Sequence, residues 1–287
     1  MLSRYFVYFI IYSFIGWIYE TCYCTIHERA WENRGFLYGP CIPLYGVGAT
    51  LAQIIFVDVP LRINQSPSYL TIFLGCAIGS FFLEYGTSYV LEKRFHARWW
   101  DYSDLPLNIN GRVCLIFTCC FGIAGIVVTQ FIIPPIVSAI IVIPQIVIEL
   151  LALIFMFLFG MDMALTVSAL TTFAKEFERI NEQINNQMAE RVEALTTNLA
   201  DAKLARIEKA NERKEAAFVK REMTAEKLEE IKEQLSSEAV KQWIMNATET
   251  QRGQFRHIAK FTHPVASTKE LLNKGSQYLR HRSGKNK

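Results

Sequence analysis

Five long apolar segments alternate with short polar loops over the first part of the chain. Each is about 20 residues long, the length that an α-helix needs to cross the ~30 Å hydrocarbon core of a bilayer. Charged residues are sparse within the segments and cluster between them. The pattern therefore predicts five transmembrane helices, at residues 5–24, 37–56, 69–91, 113–133 and 136–159.

A different pattern follows the fifth segment. No glycine or proline occurs between Met161 and Arg252, and apolar residues recur with helical spacing at the start of this stretch. We therefore expect a long helix that forms a coiled coil with a second copy of the chain, through residues 173–202, or a hairpin within one chain. The apolar stripe consists of Phe173, Phe177, Ile180, Ile184, Met188, Leu195, Leu199 and Ala202.

Charge divides the chain in the same way. Residues 1–165 hold eight Lys and Arg against ten Asp and Glu, residues 166–250 hold thirteen against sixteen, and residues 251–287 hold nine against one. We therefore predict an all-α integral membrane protein in three parts. These are a membrane domain (1–165), a charged cytoplasmic helix or coiled coil (166–250) and a basic tail (251–287).

The orientation prediction rests on Lys and Arg in the short loops, which favour the cytoplasmic side. With the N-terminus outside, six of these residues lie in cytoplasmic loops and two outside, and the external connection around Pro134 and Pro135 carries none. We expect a multi-pass plasma-membrane protein with a cytoplasmic C-terminus. The six are Arg29, Arg34, Lys93, Arg94, Arg98 and Arg112, and the two are Arg4 and Arg62.

Two polar loops share an order of residues. Each has tryptophan, then an Asn, Arg and Gly group, then an aromatic residue and glycine eleven residues past the first glycine. The span before each loop carries one glutamate, Glu20 or Glu84. Two such span–loop–span units suggest an internal duplication. The first copy has Trp31, Asn33-Arg34-Gly35 and Tyr45-Gly46, and the second has Trp99-Trp100, Asn110-Gly111-Arg112 and Phe121-Gly122.

Both loops precede the start of a span, where unpaired amide groups and the helix dipole favour negative charge. One interpretation is a cytoplasm-facing polar mouth that holds an anionic group. Its candidate residues are Glu20, Asn33, Arg34, Gly35, Glu84, Asn108, Asn110 and Arg112. The alternative interpretation is structural, with Glu20 and Glu84 pairing with Arg34 and Arg112 to hold the loops in place.

Gln145 and Glu149 are a separate candidate pair. The predicted fifth span puts Glu149 near the middle of the membrane, one turn after Gln145. An unpartnered carboxylate is costly there, so we expect Glu149 to bind a polar partner, to stay protonated or to line a pathway.

No cofactor or metal is expected. The seven cysteines all lie in the membrane domain without zinc-ligand spacing, which is typical of packing residues. The tail mixes aromatic and basic residues, so anionic lipid is its expected partner, with an unstructured solubilising tail as the alternative. No nucleic-acid-binding signature occurs.

Four stretches of the membrane domain carry a resemblance: "GWIYE", "NRGFLYGPCIPLYGVGA", "LEYGTSYVLEKRFHARWWDYS" and "PLNINGRVCL". They resemble the ABC-transporter type IV (CmpB-like) family of bacterial membrane proteins over roughly residues 10–150. The resemblance implies a transport-associated membrane protein, with a separate ATP-binding subunit as partner. It assigns no catalytic or binding residues.

The chain contains no phosphate-binding loop and no hydrolase motif. We therefore expect a non-enzymatic, permease-like or transport-associated membrane protein. A membrane-anchored scaffold or sensor that recruits cytoplasmic partners is the alternative. A third hypothesis is an enzyme that acts on lipid at the cytoplasmic face. Only the cluster of Asn, Arg and Glu residues in the two polar loops supports it.

Overall fold

The computed structural model describes residues 2–28, 34–204, 214–263 and 266–285. About 80% of the structure is helical and very little is strand, which confirms the predicted all-α class. Five helical segments are long and apolar enough to cross a membrane, as the hydropathy pattern predicts. They cover Leu2–Ile26, Pro43–Arg62, Tyr69–Phe95, Leu115–Ile141 and, at the start of a longer helix, residues from Gln145 onward.

The first and third spans are single helices, α1 (Leu2–Glu28) and α4 (Tyr69–Phe95). Helix α4 begins where the Ser68 hydroxyl accepts a hydrogen bond from the amide of Thr71. It ends at His96, whose left-handed conformation (φ 51°) turns the chain out of the helix. Helix α1 packs on the second span and α4 on the fourth, which gives two helix pairs.

The second and fourth spans each contain a π-helical stretch followed by proline. In the second span, α2 (Pro43–Gln53) leads into a π-helix (Ile54–Asp58) and then α3 (Val59–Arg62). In the fourth, α5 (Leu115–Val127) leads into a π-helix (Val128–Ile132) and then α6 (Ile133–Ile141). Proline lacks an amide hydrogen and clashes with the carbonyl four residues earlier, and the wider π turn accommodates this.

Three predicted boundaries are wrong. The second span begins at Pro43 rather than residue 37, because residues 34–42 form an irregular segment. Pro134 and Pro135, predicted to lie in an external loop, belong to α6. The connection between the last two spans falls instead at residues 142–144, since two prolines are tolerated in the first turn of a helix.

The remaining chain is also largely helical. Helix α7 (Gln145–Leu204) continues the fifth span without a break and is followed by α8 (Lys214–Asn246), α9 (Glu249–His257) and α10 (Ala266–Lys285). Helix α9 starts at Thr248, which forms a reciprocal capping box with Gln251. The described part of the chain also contains four two-residue strands: β1 (Ala97–Arg98), β2 (Asn108–Ile109), β3 (Val113–Cys114) and β4 (Lys260–Phe261).

Part of the predicted apolar stripe is buried within the same chain. Phe177 is completely buried against Trp243 of α8 and Phe255 of α9, with ring centroids 4.9 and 5.3 Å away. This matches the hairpin alternative for the stripe residues up to 188, whereas the side chains of Leu195, Leu199 and Ala202 lie outside the described set. The core comprises Leu170, Phe173, Phe177, Ile180, Ile184, Val240, Ile244, Phe255, Ile258, Phe261, Leu271, Leu272 and Leu279, together with Ala97.

This C-terminal unit, formed by residues from 166 onward, is joined to the membrane domain by backbone hydrogen bonds. Strand β4 pairs antiparallel with β1, with Ala97 opposite Phe261. The amides of Ala259 and Thr262 donate to the carbonyls of Arg98 (2.7 Å) and His96 (2.6 Å). Residues 251–263 of the basic tail are thus part of a folded unit, which covers the loop that follows α4.

Candidate functional site

The first polar loop is described from Arg34 onward, and Asn33 lies outside the described residues. The Arg34 Nε donates to the Cys24 Sγ at 3.2 Å, and its positive charge also acts on Glu20. Gly35 has a φ of 131°, a conformation that side chains disfavour. The charge of Arg34 thus acts on Glu20, the residue with which the structural interpretation of this loop pairs it.

Asp162 of α7 supplies a negative charge to this loop. Its carboxylate oxygens accept hydrogen bonds from the backbone amides of Tyr38 (3.1 Å) and Gly39 (3.0 Å). A Cβ at position 39 would lie 2.9 Å from the Asp162 Oδ2, so a larger residue could be accommodated only if the Asp162 carboxylate moved. Burial, reinforced by Asp162, raises the pKa of the Tyr38 hydroxyl. The negatively charged group that these backbone amides bind is therefore Asp162 of the same chain.

The second loop is built around a β-hairpin. Asn110 (φ 54°) and Gly111 (φ 67°) are the central residues of the turn that joins β2 to β3, and Arg112 N–H closes it on the Ile109 carbonyl at 3.0 Å. Positive φ at both central positions is the type I′ geometry that Asn-Gly favours. Asn110 and Gly111 thus have a structural role that explains their presence.

Asn108 holds the rest of the second loop in place. Its side-chain amide donates to the carbonyl of Leu105 at 2.7 Å and lies 3.3 Å from that of Ser103, while its Oδ1 accepts from the amide of Gly111 at 2.9 Å. These contacts occupy the polar atoms of the side chain. The candidate mouth residue Asn108 is therefore committed to the loop.

Arg112 pairs with Glu92 rather than with Glu84. Its Nη2 lies 2.7 Å from the Glu92 Oε2, and the guanidinium stacks on the rings of Tyr85 and Tyr89. Glu92 also receives two hydrogen bonds from Arg98, at 2.7 and 3.2 Å. The structural interpretation thus named the wrong partner for Arg112, because the hairpin places its guanidinium two turns further along α4.

Glu84 lies in a different environment. It is 4% exposed, and its Oε1 lies 3.4 Å from the hydroxyl of Tyr102, which reaches back from the second loop. In the first copy, Glu20 is hydrogen-bonded to Tyr45. The two copies meet here, since the Tyr45 ring lies 6.4 Å from that of Phe121.

The helix contacts support the internal duplication. A Cβ at Gly46 would meet the Phe9 carbonyl oxygen at 2.6 Å, and a Cβ at Gly122 would meet that of Phe73 at 3.0 Å. Phe9 precedes Glu20 by eleven residues, as Phe73 precedes Glu84. The same close approach therefore occurs at the same distance from each glutamate, and each pair continues into a π-helix and proline.

Gln145 and Glu149 are not at the centre of a span. Helix α7 begins at Gln145, so both lie in its first turns, with Glu149 exposed. The Gln145 side-chain amide donates to the Glu149 Oε1 at 3.1 Å. The Oε1 of Gln145 accepts a hydrogen bond from Arg4 at 3.3 Å. The sequence-based placement of Glu149 is wrong, because the fourth span continues through both prolines.

Sequence reasoning missed several polar residues between the spans. Asp58 accepts a hydrogen bond from the Tyr5 hydroxyl at 2.7 Å, and Gln53 accepts one from Tyr12 at 2.6 Å. Gln53 is 1% exposed in the middle of an apolar segment, a signal that could have identified it. Asp162, Glu92 and Tyr102 were missed because their partners are distant in the sequence or depend on the path of the loop.

The chain matches the family described as "Putative ABC-transporter type IV" over residues 7–167. The chain belongs to this family. The match includes both polar loops and at least part of each of the five membrane-spanning segments. No curated protein and no solved structure gives a match to this chain. Family membership and the five spans make it a transport-associated, multi-pass membrane protein.

Proposed function

We propose that this chain is the permease-like subunit of a transport system, with its substrate path between the two repeated helix pairs. The arrangement of Glu20 with Tyr45 and of Glu84 with Tyr102 carries this proposal. Repeated units that enclose polar groups at their interface are a recurring design of membrane transporters. Family membership supports the same function.

The polar mouth belongs to this proposal in a narrower form than the sequence suggests. Asn108, Asn110 and Arg112 are used within the second loop, which leaves the Glu20 and Glu84 region as the part that could contact a substrate. Substrate groups with positive charge or hydrogen-bond donors suit two carboxylates better than an anion does. The proposed substrate class is therefore cationic or polar rather than anionic.

We also propose that a separate ATP-binding subunit drives transport and that the chain itself has no enzymatic activity. The basis is the family description together with the absence of a phosphate-binding loop from the sequence. The proposed location is the plasma membrane, with the N-terminus outside and the C-terminal unit in the cytoplasm. Basic residues of α9 and α10 are the proposed contacts with anionic lipid.

A test begins with the full-length chain, purified with a tag from native membranes and analysed for co-purifying proteins that contain a phosphate-binding loop. Such a protein should show ATPase activity that increases when this chain is added in lipid nanodiscs. The double variant Tyr45→Phe and Tyr102→Phe should reduce the stimulation. Gly79→Ala, where a Cβ meets nothing within 4 Å, is the matched control. The proposal would be rejected if no ATP-binding protein co-purified. It would also be rejected if the double tyrosine variant and the Gly79→Ala control stimulated the ATPase activity equally.

The folded C-terminal unit favours a second candidate function, a membrane-anchored scaffold or sensor. Its core is separate from the cluster between α1, α6 and α7 in the membrane domain. The test expresses a variant with Glu20 and Glu84 replaced by glutamine in a strain that lacks the gene for this protein. If recruitment were the function, this variant would restore the wild-type phenotype fully. Loss of complementation at normal protein abundance would favour the permease.

Homo-oligomerisation through residues 173–202 remains a prediction with a structural condition attached. Phe173, Phe177, Ile180 and Ile184 are buried against the chain's own helices. A second copy could use these positions only if the C-terminal unit opened or exchanged helices between copies. We therefore propose that any oligomer contact lies on other surfaces of the unit.

A further inference from the structure

The two repeat-related glutamates act on one hydroxyl group. Tyr102 lies 3.4 Å from the Glu84 Oε1, and the negative charge of Glu20 also acts on it. Burial, followed by Glu84, raises the pKa of this hydroxyl above its usual range. Tyr102 therefore stays a neutral hydrogen-bond donor to Glu84, and the charge of Glu20 also acts on it. The first and second halves of the membrane domain thus share a single acidic centre.

The positive charges near this centre do not balance it. Arg112 and Arg98 are both paired with Glu92, and Arg34 acts on Glu20. Glu84 has no ion-pair partner among the described residues. Its Oε2 atom is buried and accepts no hydrogen bond from any residue that the structure describes. Glu84 is thus a buried carboxyl group with one weak donor and one vacant oxygen.

A carboxylate in this position is costly. Transfer of an unpaired charge from water into a protein interior is strongly unfavourable, and the usual outcome is that the group takes up a proton. The charge of Glu20 acts on the same Tyr102 hydroxyl, so a proton on Glu84 also lowers the net negative charge of this group of residues. Protonation of Glu84 is reversible: one proton from water converts its carboxylate to a carboxylic acid and returns to water on release.

We propose that Glu84, with Glu20 and Tyr102, forms a proton-binding site at the interface of the two repeats. Its protonation makes the movement of the repeats dependent on pH. This regulatory role rests on the transport function proposed above, whereas proton binding itself does not. Proton uptake removes a charge from the interface and so lowers the cost of closing it around a polar substrate.

The chemistry favours a proton over a metal ion. The hydroxyl groups of Tyr45 and Tyr102 each donate to one of the carboxyl groups, so part of the oxygen surface that a metal ion would need is already occupied. Metal ions of the calcium type need six or more oxygen ligands, whereas this site offers two carboxyl groups and two hydroxyls. The other titratable or charged groups that act on these residues are Tyr19, Arg34 and Cys114. Tyr85, Glu92 and Arg112 form the neighbouring ion-pair cluster.

Dicyclohexylcarbodiimide tests the proposal, because this apolar reagent modifies protonated carboxyl groups in apolar surroundings. The full-length protein in membrane vesicles is treated at a series of pH values, and the modified residues are identified by peptide mass spectrometry. Glu84 should be labelled at least tenfold more than Glu92, whose carboxylate is held by Arg98 and Arg112. Its labelling should fall as the pH rises.

Two variants give opposite shifts that a structural role alone would not produce. Glu20→Gln removes a negative charge from the group of residues around Tyr102, so Glu84 should lose its proton at a lower pH. Tyr102→Phe removes a donor to the carboxylate, so Glu84 should hold its proton to a higher pH. Shifts in these directions support the proposal. An unchanged profile in both variants, or no labelling of Glu84 at any pH, would overturn it.

The same assay separates the proton from other ligands. Replacing choline chloride with sodium chloride at constant pH should leave labelling unchanged. Protection by sodium without any pH dependence would replace the proton by a metal cation and reject the proposal. Labelling needs no substrate and no ATP-binding subunit. A positive result would stand even if the transport assay failed, and a negative one would leave the permease proposal intact.

Discussion

The carboxylate of Asp162 lies 3.0 Å from the backbone amide nitrogen of Gly39. It thereby joins the fifth span to the irregular segment before the second span, at a point where that segment has no regular helix to use its amide groups. The amide of Tyr38 donates to the other carboxylate oxygen. The sequence predicts that backbone amide groups at this position could bind an anion. In the structure, the carboxylate of Asp162 from the same chain accepts their hydrogen bonds.

This contact predicts a stability difference between two glycine variants. Gly39→Ala should displace Asp162 and leave the two amides without an acceptor, which lowers the free energy of unfolding by about 2 kcal/mol. Gly160→Ala, two residues before Asp162 on the same helix, should be neutral or stabilising, because its Cβ meets nothing within 4 Å. Thermal unfolding in detergent measures both. Equal effects would contradict the role assigned to Asp162.

A second prediction tests the duplicated helix contacts. Gly46→Ala and Gly122→Ala should each destabilise the protein by about 1–3 kcal/mol, because the added methyl group meets a backbone carbonyl that cannot rotate away. The control Gly48→Ala places its Cβ at an ordinary 3.7 Å from Leu83 and should have little effect. If the duplication had no structural basis, only one of the two glycines would be sensitive.

The ion pairs predict an unequal effect of two glutamate substitutions. Glu92→Gln leaves the largely buried guanidinium groups of Arg98 and Arg112 without their shared carboxylate, which should cost about 3 kcal/mol. Glu84→Gln removes no ion pair and should be close to neutral. Thermal unfolding at neutral pH, scored with membrane abundance, compares them. A larger loss for Glu84→Gln would mean that Arg112 pairs with Glu84 after all.

Asp101 predicts how the C-terminal unit responds to acid. Burial opposes ionisation of Asp101, but hydrogen bonds from Ser103 and Lys260 outweigh it and hold its pKa below the usual value. A lowered folded-state pKa means that the stabilisation is complete above the unfolded value of about 3.9 and is lost as the pH falls below it. Limited proteolysis with pepsin between pH 5 and 2 should release the unit more readily in Asp101→Asn than in the wild type at the upper end of this range, and the difference should disappear toward pH 2. A difference that does not change with pH would contradict this role of Asp101.

The membrane orientation can be tested with a reporter protein, and the structure changes the site at which it should be inserted. A reporter active only in the cytoplasm should work when fused after Lys287 and fail when inserted at residues 142–144. Insertion at Pro134 and Pro135 is unsuitable, because it would interrupt α6. The opposite activity pattern would reverse the assigned orientation.

Hydropathy predicts the five spans because their length and composition are set by the bilayer itself. It places the ends less well, since Pro134 and Pro135 break most helices but are accommodated here after a π turn. The Asn110-Gly111 turn could be predicted from local preference alone. Neither the choice of Arg112 between two glutamates nor the contact of Asp162 with Gly39 follows from local pattern. Both depend on how distant segments pack.

The pairing of β1 with β4 also fixes an order of events during synthesis. Ala97 emerges early, whereas its partner Phe261 is made near the end of the chain, roughly 10 to 30 s later at 5–20 residues per second. Until then the edge of β1 and the apolar side chains beside it have no cover. Chains that stop before residue 260 would remain permanently in that immature state, with the loop after α4 open to chaperones and proteases.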